Sequence, residues 1–263
     1  MKKKIAILVL MLCEAAFGAR TFNGTNQYFK RMSSFSEITD YPFTYAAWVN
    51  SDVNNADDWI LQLGKTEVES IFYDLQIDDT AGAIKQHASN TTARTSATTT
   101  YLPISEWHHV CAVFTSATSR DVYLDASGKG SSAISVTYNI DVNEIWLGAR
   151  YTSVPINFLD GSLAEVGIWD RALTLDDVND LYINKYAPSL VQDANLIAYW
   201  RLNEQTATDD ATDQQGNYTL TQYNSPTYTD HSSIGIVYSL GGAGGTAVLG
   251  KNGFRVLGGG VVK

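Results

Sequence analysis

One stretch constrains the fold of this chain more than any other. From Leu163 to Trp169, the residues Leu163, Glu165, Gly167 and Trp169 alternate with Ala164, Val166 and Ile168. This is the two-residue period of a strand with distinct faces. Asp160-Gly161 before it is a turn signal. After it, Thr174 and Asp177 have the spacing of a capping box, with Asp in place of the usual Glu or Gln. Leu175, Val178, Leu181 and Tyr182 then fall on one helical face, so the spacing predicts a short helix over 175–184. A long strand handing over to a single short helix is unusual in a chain whose other apolar runs all have strand length.

Those runs recur along the sequence. Strands are expected on either side of the turn at 23–26, then at 43–49, 59–63 and 70–77, with weaker edges at 83–87 and 91–100. The clearest hairpin joins 107–116 to 120–125, with Val122 and Leu124 facing one way and Asp121, Tyr123 and Asp125 the other. Residues 125–128 read as its long loop, and 133–136 and 144–147 as strands leading into the organising one. Glycines crowd the C-terminal end, where Asn252-Gly253 suggests a hairpin. Residues 232–263 are open to two readings, a surface tail or a segment for attachment and oligomerisation.

Composition narrows the function classes. With 263 residues, 44% of them hydrophobic, the chain can bury a large core. Its net charge of −10 argues against a nucleic-acid partner, because no basic face exists to release phosphate counterions. Residues 1–19 resemble a secretory leader: Lys2-Lys3-Lys4, an apolar run from Ile5 to Leu12, and the small-x-small Ala16-Phe17-Gly18. No run reaches the ~20 apolar residues of a membrane-spanning helix, so no membrane insertion is expected.

Several segments together resemble the laminin-G-like and pentraxin modules of the concanavalin A-like lectin/glucanase superfamily. They are residues 161–173, Trp107 to Phe114, Val122 to Asp125, Thr21-Phe22-Asn23-Gly24, Pro42 to Val49, and Ile197 to Leu202. The resemblance implies an all-β fold, an antiparallel two-sheet jelly-roll sandwich over residues 20–231 with the one short helix. In many such modules a segment like Ala198 to Glu204 precedes the Phe-Asn-Gly strand. Here it follows the helix, so residues 195–222 are expected to close the same sandwich as a circular permutation would, or else to open a second, truncated module. Many pentraxins pair the cysteine matching Cys111 with one at the position of Ala46. Cys111 is therefore expected to be a free, buried thiol.

No residue set for catalysis stands out. Jelly-roll glucanases carry Glu-x-Asp-x-Glu on one strand; the nearest approach here, Glu67-Val68-Glu69, lacks the Asp and adjoins a turn. His108 and His109 face opposite sides of a strand and cannot share a zinc. Calcium is common in the superfamily, but the positions that would supply its ligands are Ala149-Arg150-Tyr151 and Ala164. No cofactor and no metal are expected. Glycan binding needs aromatic faces and side-chain amides or carboxylates. Trp48, Trp107, Trp169 and Trp200 lie in apolar strand patterns and read as core. Trp59 beside Asp57-Asp58, and Tyr151 beside Arg150, lie at loop–strand junctions and are the candidate ligand-binding residues, though aromatics packing a loop would look the same. The sequence thus describes a secreted, non-catalytic recognition module for a glycan or surface protein. The rival is a structural or assembly subunit that forms homo-oligomers through its tail, and a glycoside hydrolase is a distant third.

Overall fold

The computed structural model describes residues 17–33, 35–53, 57–65, 68–79, 82–91, 94–138, 142–239, 246–250 and 253–257. Most of the predicted leader therefore lies outside the described residues. The chain enters through β1 (Gly18–Asn23) and β2 (Tyr28–Arg31), then β3 (Phe43–Ser51), β4 (Asp58–Lys65) and β5 (Val68–Ile77). Strands β6 (Ala83–Ser89), β7 (Arg94–Tyr101), β8 (His108–Ser116) and β9 (Ser119–Leu124) follow. Next come β10 (Gly128–Ser132), β11 (Glu144–Leu147), the two-residue pair β12 (Arg150–Tyr151) and β13 (Pro155–Ile156), and β14 (Asp160–Trp169). Helix α1 (Leu175–Tyr182) precedes β15 (Leu196–Trp200), β16 (Thr221–Tyr223), β17 (Thr227–Asp230) and β18 (Val237–Ser239). The last hairpin is β19 (Thr246–Gly250) with β20 (Gly253–Leu257).

Two antiparallel sheets make the sandwich. The larger runs β10-β9-β8-β3-β14-β1-β17, with β15 also paired to β14; the smaller runs β16-β2-β11-β4-β5-β6-β7. Between them lies one apolar core, fed from the larger sheet by Phe43, Tyr45, Val110, Phe114, Val122, Leu163 and Ile168, and from the smaller by Phe29, Leu61, Leu63, Tyr73, Leu75 and Leu147. The segment around Tyr199 belongs to this body: Tyr199 pairs with Gly167, and Trp200 lies in the core, donating its indole N–H to the Tyr218 carbonyl at 2.8 Å.

β14 does not alternate as its sequence reads. Leu163, Val166 and Ile168 all face the core, because the pairing with β3 slips between Ala164 and Gly167 and Glu165 takes φ +54°. A β-bulge exchanges the two faces midway, and Glu165 is the extra residue. A second difference lies after the hairpin: the loop read over 125–128 gives way at Gly128 to strand β10 (Gly128–Ser132), for which no strand was expected, whereas 133–136, expected as a strand, forms none. The reason is steric. Gly130 passes so close to β7 that a Cβ there would stand 2.0 Å from the Thr98 carbonyl oxygen, so only glycine lets the two sheet edges meet.

A second apolar cluster covers the outer face of the larger sheet. α1 contributes Val178 and Leu181, packed with Ala46, Trp48, Cys111, Trp169 and Tyr199. The capping box forms as read: Thr174 Oγ1 accepts from the Asp177 N–H, and Asp177 Oδ2 accepts from the Thr174 N–H. Cys111 is free, fully buried and opposite Ala46, and burial pushes its thiol pKa far up. The cluster extends past residue 231, since Ile234 and Ile236 are buried in it.

Candidate functional site

The structure brings most of the predicted site residues to the outer face of the smaller sheet, and there it closes over them. Trp59 is 2% exposed. Its indole N–H donates to Asp74 Oδ2 at 3.0 Å, and the Arg150 guanidinium lies 5.2 Å above its ring. The expectation of a ring at an open junction is thus corrected: β12 and its neighbours fold back as a cover, and burial leaves Trp59 no face for a ligand. Tyr151 stacks on Trp146 at 5.1 Å, and its N–H donates to Gln62 Oε1 at 2.9 Å. Tyr223, Tyr28 and Trp146 continue the row at 4.7 and 5.0 Å, so the faces of these rings are largely spent on one another.

The two aspartates separate. Asp57 accepts from Gln76 Nε2 at 3.1 Å and from the Asp79 N–H at 3.3 Å. With Asp78 and Asp79 it gathers carboxylate oxygens within 4.8 Å of one another. Calcium takes six to eight oxygens, and Lys85 already holds Asp78. Asp58 points the other way and is buried, accepting from the Asp160 N–H at 3.0 Å. Burial raises its pKa to about 7, against that hydrogen bond and with help from the Asp160 and Asp57 charges.

An open concavity lies instead on the outer face of the larger sheet, beside α1. It measures about 410 Å³ and is lined by Trp48, Asn50, Ser105, Glu106, Trp107, Lys185, Ser233 and Ile234. Each side chain arrives by a different route. Trp48 and Asn50 lie on the outward side of β3. Ser105 to Trp107 come from the turn before β8, pinned by a Ser105 N–H bond of 2.8 Å to the Ser51 carbonyl. Lys185 follows α1, and its carbonyl accepts from the Val237 N–H at 2.8 Å. Ser105 and Lys185 both occupy the left-handed region, with φ +63° and +55°, conformations that cost a non-glycine residue about 1–3 kcal/mol.

The chemistry of this cleft is mixed in the way a polar ligand with apolar faces requires. Trp107 is half-buried, held edge-on by the ring of the fully buried His231 at 6.1 Å. Trp48 forms the deeper wall, with the Lys185 ammonium 4.2 Å from its ring centre. His109 packs edge-on against Trp48 at 5.4 Å, and burial lowers its pKa to about 3, so it is neutral in the physiological range. Sequence reading placed Trp48 and Trp107 in the core because their strands are apolar; Trp48, 3% exposed, does lie in the outer apolar cluster, and the half-buried Trp107 is the one that departs from it. The available signal was the polar Ser105-Glu106 ahead of Trp107, which places that ring at the mouth of its strand.

Two antiparallel sheets packed face to face, with one α-helix among the described residues, make a concanavalin A-like β-sandwich. Residues 23–179, more than half of the chain, match the family described as the Concanavalin A-like lectin/glucanases superfamily, and the chain belongs to it. No curated protein matches it in sequence. Its fold is similar to that of a candidate carbohydrate-binding protein from Bacteroides ovatus, with 18% identity, a TM-score of 0.60, and 82% of this chain against 60% of that one. The chain therefore spans less than two thirds of that protein's length. It is similar also to a heptameric SAP-like pentraxin from Limulus polyphemus (15% identity, TM-score 0.52, 64% of this chain and 82% of that one). A third similar fold is the Ruminococcus gnavus IT-sialidase CBM40 bound to α2,3 sialyllactose (12%, 0.51, 64% and 100%). At these identities the likeness is one of fold. Among the described residues, no helix is long and apolar enough to cross a membrane.

Proposed function

We propose that this chain is a non-catalytic carbohydrate-binding module, exported by the leader-like segment at its N-terminus, and that its glycan sits in the cleft between Trp107, Asn50 and Lys185, with the buried Trp48 beneath them. The observation that carries this is the pairing of a half-buried indole with polar side chains around one concavity. An aromatic face takes the C–H surface of a sugar while amide and charged groups take its hydroxyls. A fold shared with proteins named as carbohydrate-binding supports the reading. The lining supports the non-catalytic part: among the described residues around the cleft, Glu106 is the one carboxylate, and glycoside hydrolysis ordinarily employs two.

A glycan array read with the wild-type protein and with Trp107→Ala tests this. The expected result is binding to a defined set of glycans, weakened about fivefold or more by the substitution, as removal of a ring contact worth ~1 kcal/mol or more implies. A blank array overturns the proposal, and so does binding that Trp107→Ala leaves intact. A blank array from a protein that self-associates points to the assembly role instead.

A further inference from the structure

The two charged side chains in the cleft are not equivalent. Glu106, at the lip, stands 3.4 Å from His108 Nε2. His108 in turn holds Asp125 Oδ2 at 2.7 Å through Nδ1, and that hydrogen bond outweighs burial and keeps the imidazole pKa raised. The second oxygen of Asp125 accepts from the His109 N–H at 2.9 Å. The carboxylates on this side are thus already engaged. Lys185 is not: its ammonium lies 4.2 and 4.3 Å from the ring centres of Trp48 and Tyr182, and among the described residues no carboxylate reaches ion-pair distance. Burial lowers its pKa, with the Asp125 charge pulling the other way. Ring faces favour a cation by about 0.5–2 kcal/mol and leave it able to receive an anion.

A second group in the same wall also lacks a partner. Asn50 Oδ1 is buried and accepts no hydrogen bond. A buried acceptor left so costs about 1–3 kcal/mol, which a hydroxyl donor from a ligand would recover. The third element is the half-buried Trp107 ring, and the 410 Å³ between them lies within the range of about 300–1,000 Å³ usual for small-ligand sites. A cation, a hydroxyl acceptor and an apolar ring complement a sugar that carries one carboxylate and free hydroxyls.

The chain as a whole is anionic, at −10. Its far field repels polyanions, whereas the pull of Lys185 acts within the ~8–10 Å over which salt leaves charges unscreened. One acidic residue set among neutral sugars suits this balance better than a uniformly acidic chain.

We infer that the cleft selects a glycan through a single carboxylate-bearing sugar residue, a uronic or sialic acid, with Lys185 as partner to the carboxylate, Asn50 Oδ1 receiving a hydroxyl and Trp107 under the ring. This rests on the carbohydrate reading above. The test is calorimetric titration of the full chain with matched oligosaccharides, each carrying one uronic or sialic acid, and with their carboxyl methyl esters. Wild type, Lys185→Met, Lys185→Arg and Trp107→Ala are compared.

The acid form is expected to bind wild type at least tenfold tighter than its ester. Lys185→Met is expected to abolish the preference of the cleft for acid over ester, and Lys185→Arg to restore most of it. Trp107→Ala is expected to weaken both forms. Equal binding of acid and ester by wild type, with Trp107→Ala still weakening both, overturns the carboxylate assignment and leaves the carbohydrate reading standing. Equal losses of both forms in Lys185→Met and Lys185→Arg do the same. Failure of every oligosaccharide to bind overturns both. Circular dichroism of each variant separates lost recognition from lost folding.

Discussion

A carboxyl buried without a cation stores a dependence on pH, and Asp58 is such a residue. Its folded pKa of about 7 stands above the ~3.9 of an unfolded aspartate, so between those values the folded chain holds a proton that the unfolded chain has lost. Stability from this group is fully present below about pH 4 and declines as pH rises to about 7. Asp160, its pKa also raised by burial and by the nearby Asp52, pushes the same way. We predict that wild type loses on the order of 4 kcal/mol from this source between pH 4 and pH 8, and that Asp58→Asn, which keeps an acceptor for the Asp160 N–H, flattens the profile. Urea unfolding across that range decides it; parallel profiles for the two proteins would assign the titration elsewhere. Asp58 also marks a limit of reading residues one at a time. In sequence, Asp57-Asp58 ahead of Trp59 read as a loop–strand junction open to a ligand. The groups that bury Trp59 and Asp58, Arg150 and Asp160, lie some 90 to 100 residues downstream, and no local pattern announces them.

Elements were more legible than residues, because their signals are periodic and local. The helix begins where Thr174 and Asp177 require, and its buried residues Val178 and Leu181 are among those the spacing selects. The bulge in β14 was illegible: Glu165 has no glycine-like signature, and its φ of +54° is held by contacts from afar. They include its buried carboxylate, which accepts from Tyr199 and, at 2.7 Å, from Tyr238. β10 stayed hidden for a related reason, since its place depends on Gly130 meeting Thr98. A prediction at this scale concerns α1, which ends just before the Lys185 wall of the cleft. Thr174→Ala removes the side chain that accepts the Asp177 N–H and is expected to cost about 1 kcal/mol in denaturant unfolding, whereas Thr174→Ser restores most of it. Equal losses in both variants would show that the methyl group, and not the cap, matters.

At the scale of the whole molecule, the question is where the packed body ends. The sequence changes character near residue 232, which suggested a boundary there, yet the next few residues do structural work on the larger sheet. His231 is fully buried, Ile234 and Ile236 join the cluster under α1, and Val237 accepts from the Ala187 N–H and donates to the Lys185 carbonyl, tying this segment to the one that carries Lys185. Tyr238 reaches Glu165, and the Arg201 guanidinium lies 4.1 Å above its ring. Ser233 and Ile234 also line the cleft, so the same segment that closes the apolar cluster builds part of the binding wall. Ending the chain after residue 230 would expose three aliphatic side chains' worth of contact, at about 1.5–3 kcal/mol each before the recovered chain entropy is subtracted. A net loss of roughly 3 kcal/mol corresponds to a melting temperature lower by about 6–12 °C in a chain of this size. Ending it after residue 239 removes none of these contacts, only the pairing of β18 with β19, and is expected to change melting temperature far less and to leave glycan affinity unchanged. Thermal melts and glycan titrations of the two truncated chains separate the alternatives: if loss of 231–239 proves silent in both, the body ends at β17 and the cleft does not depend on its C-terminal wall.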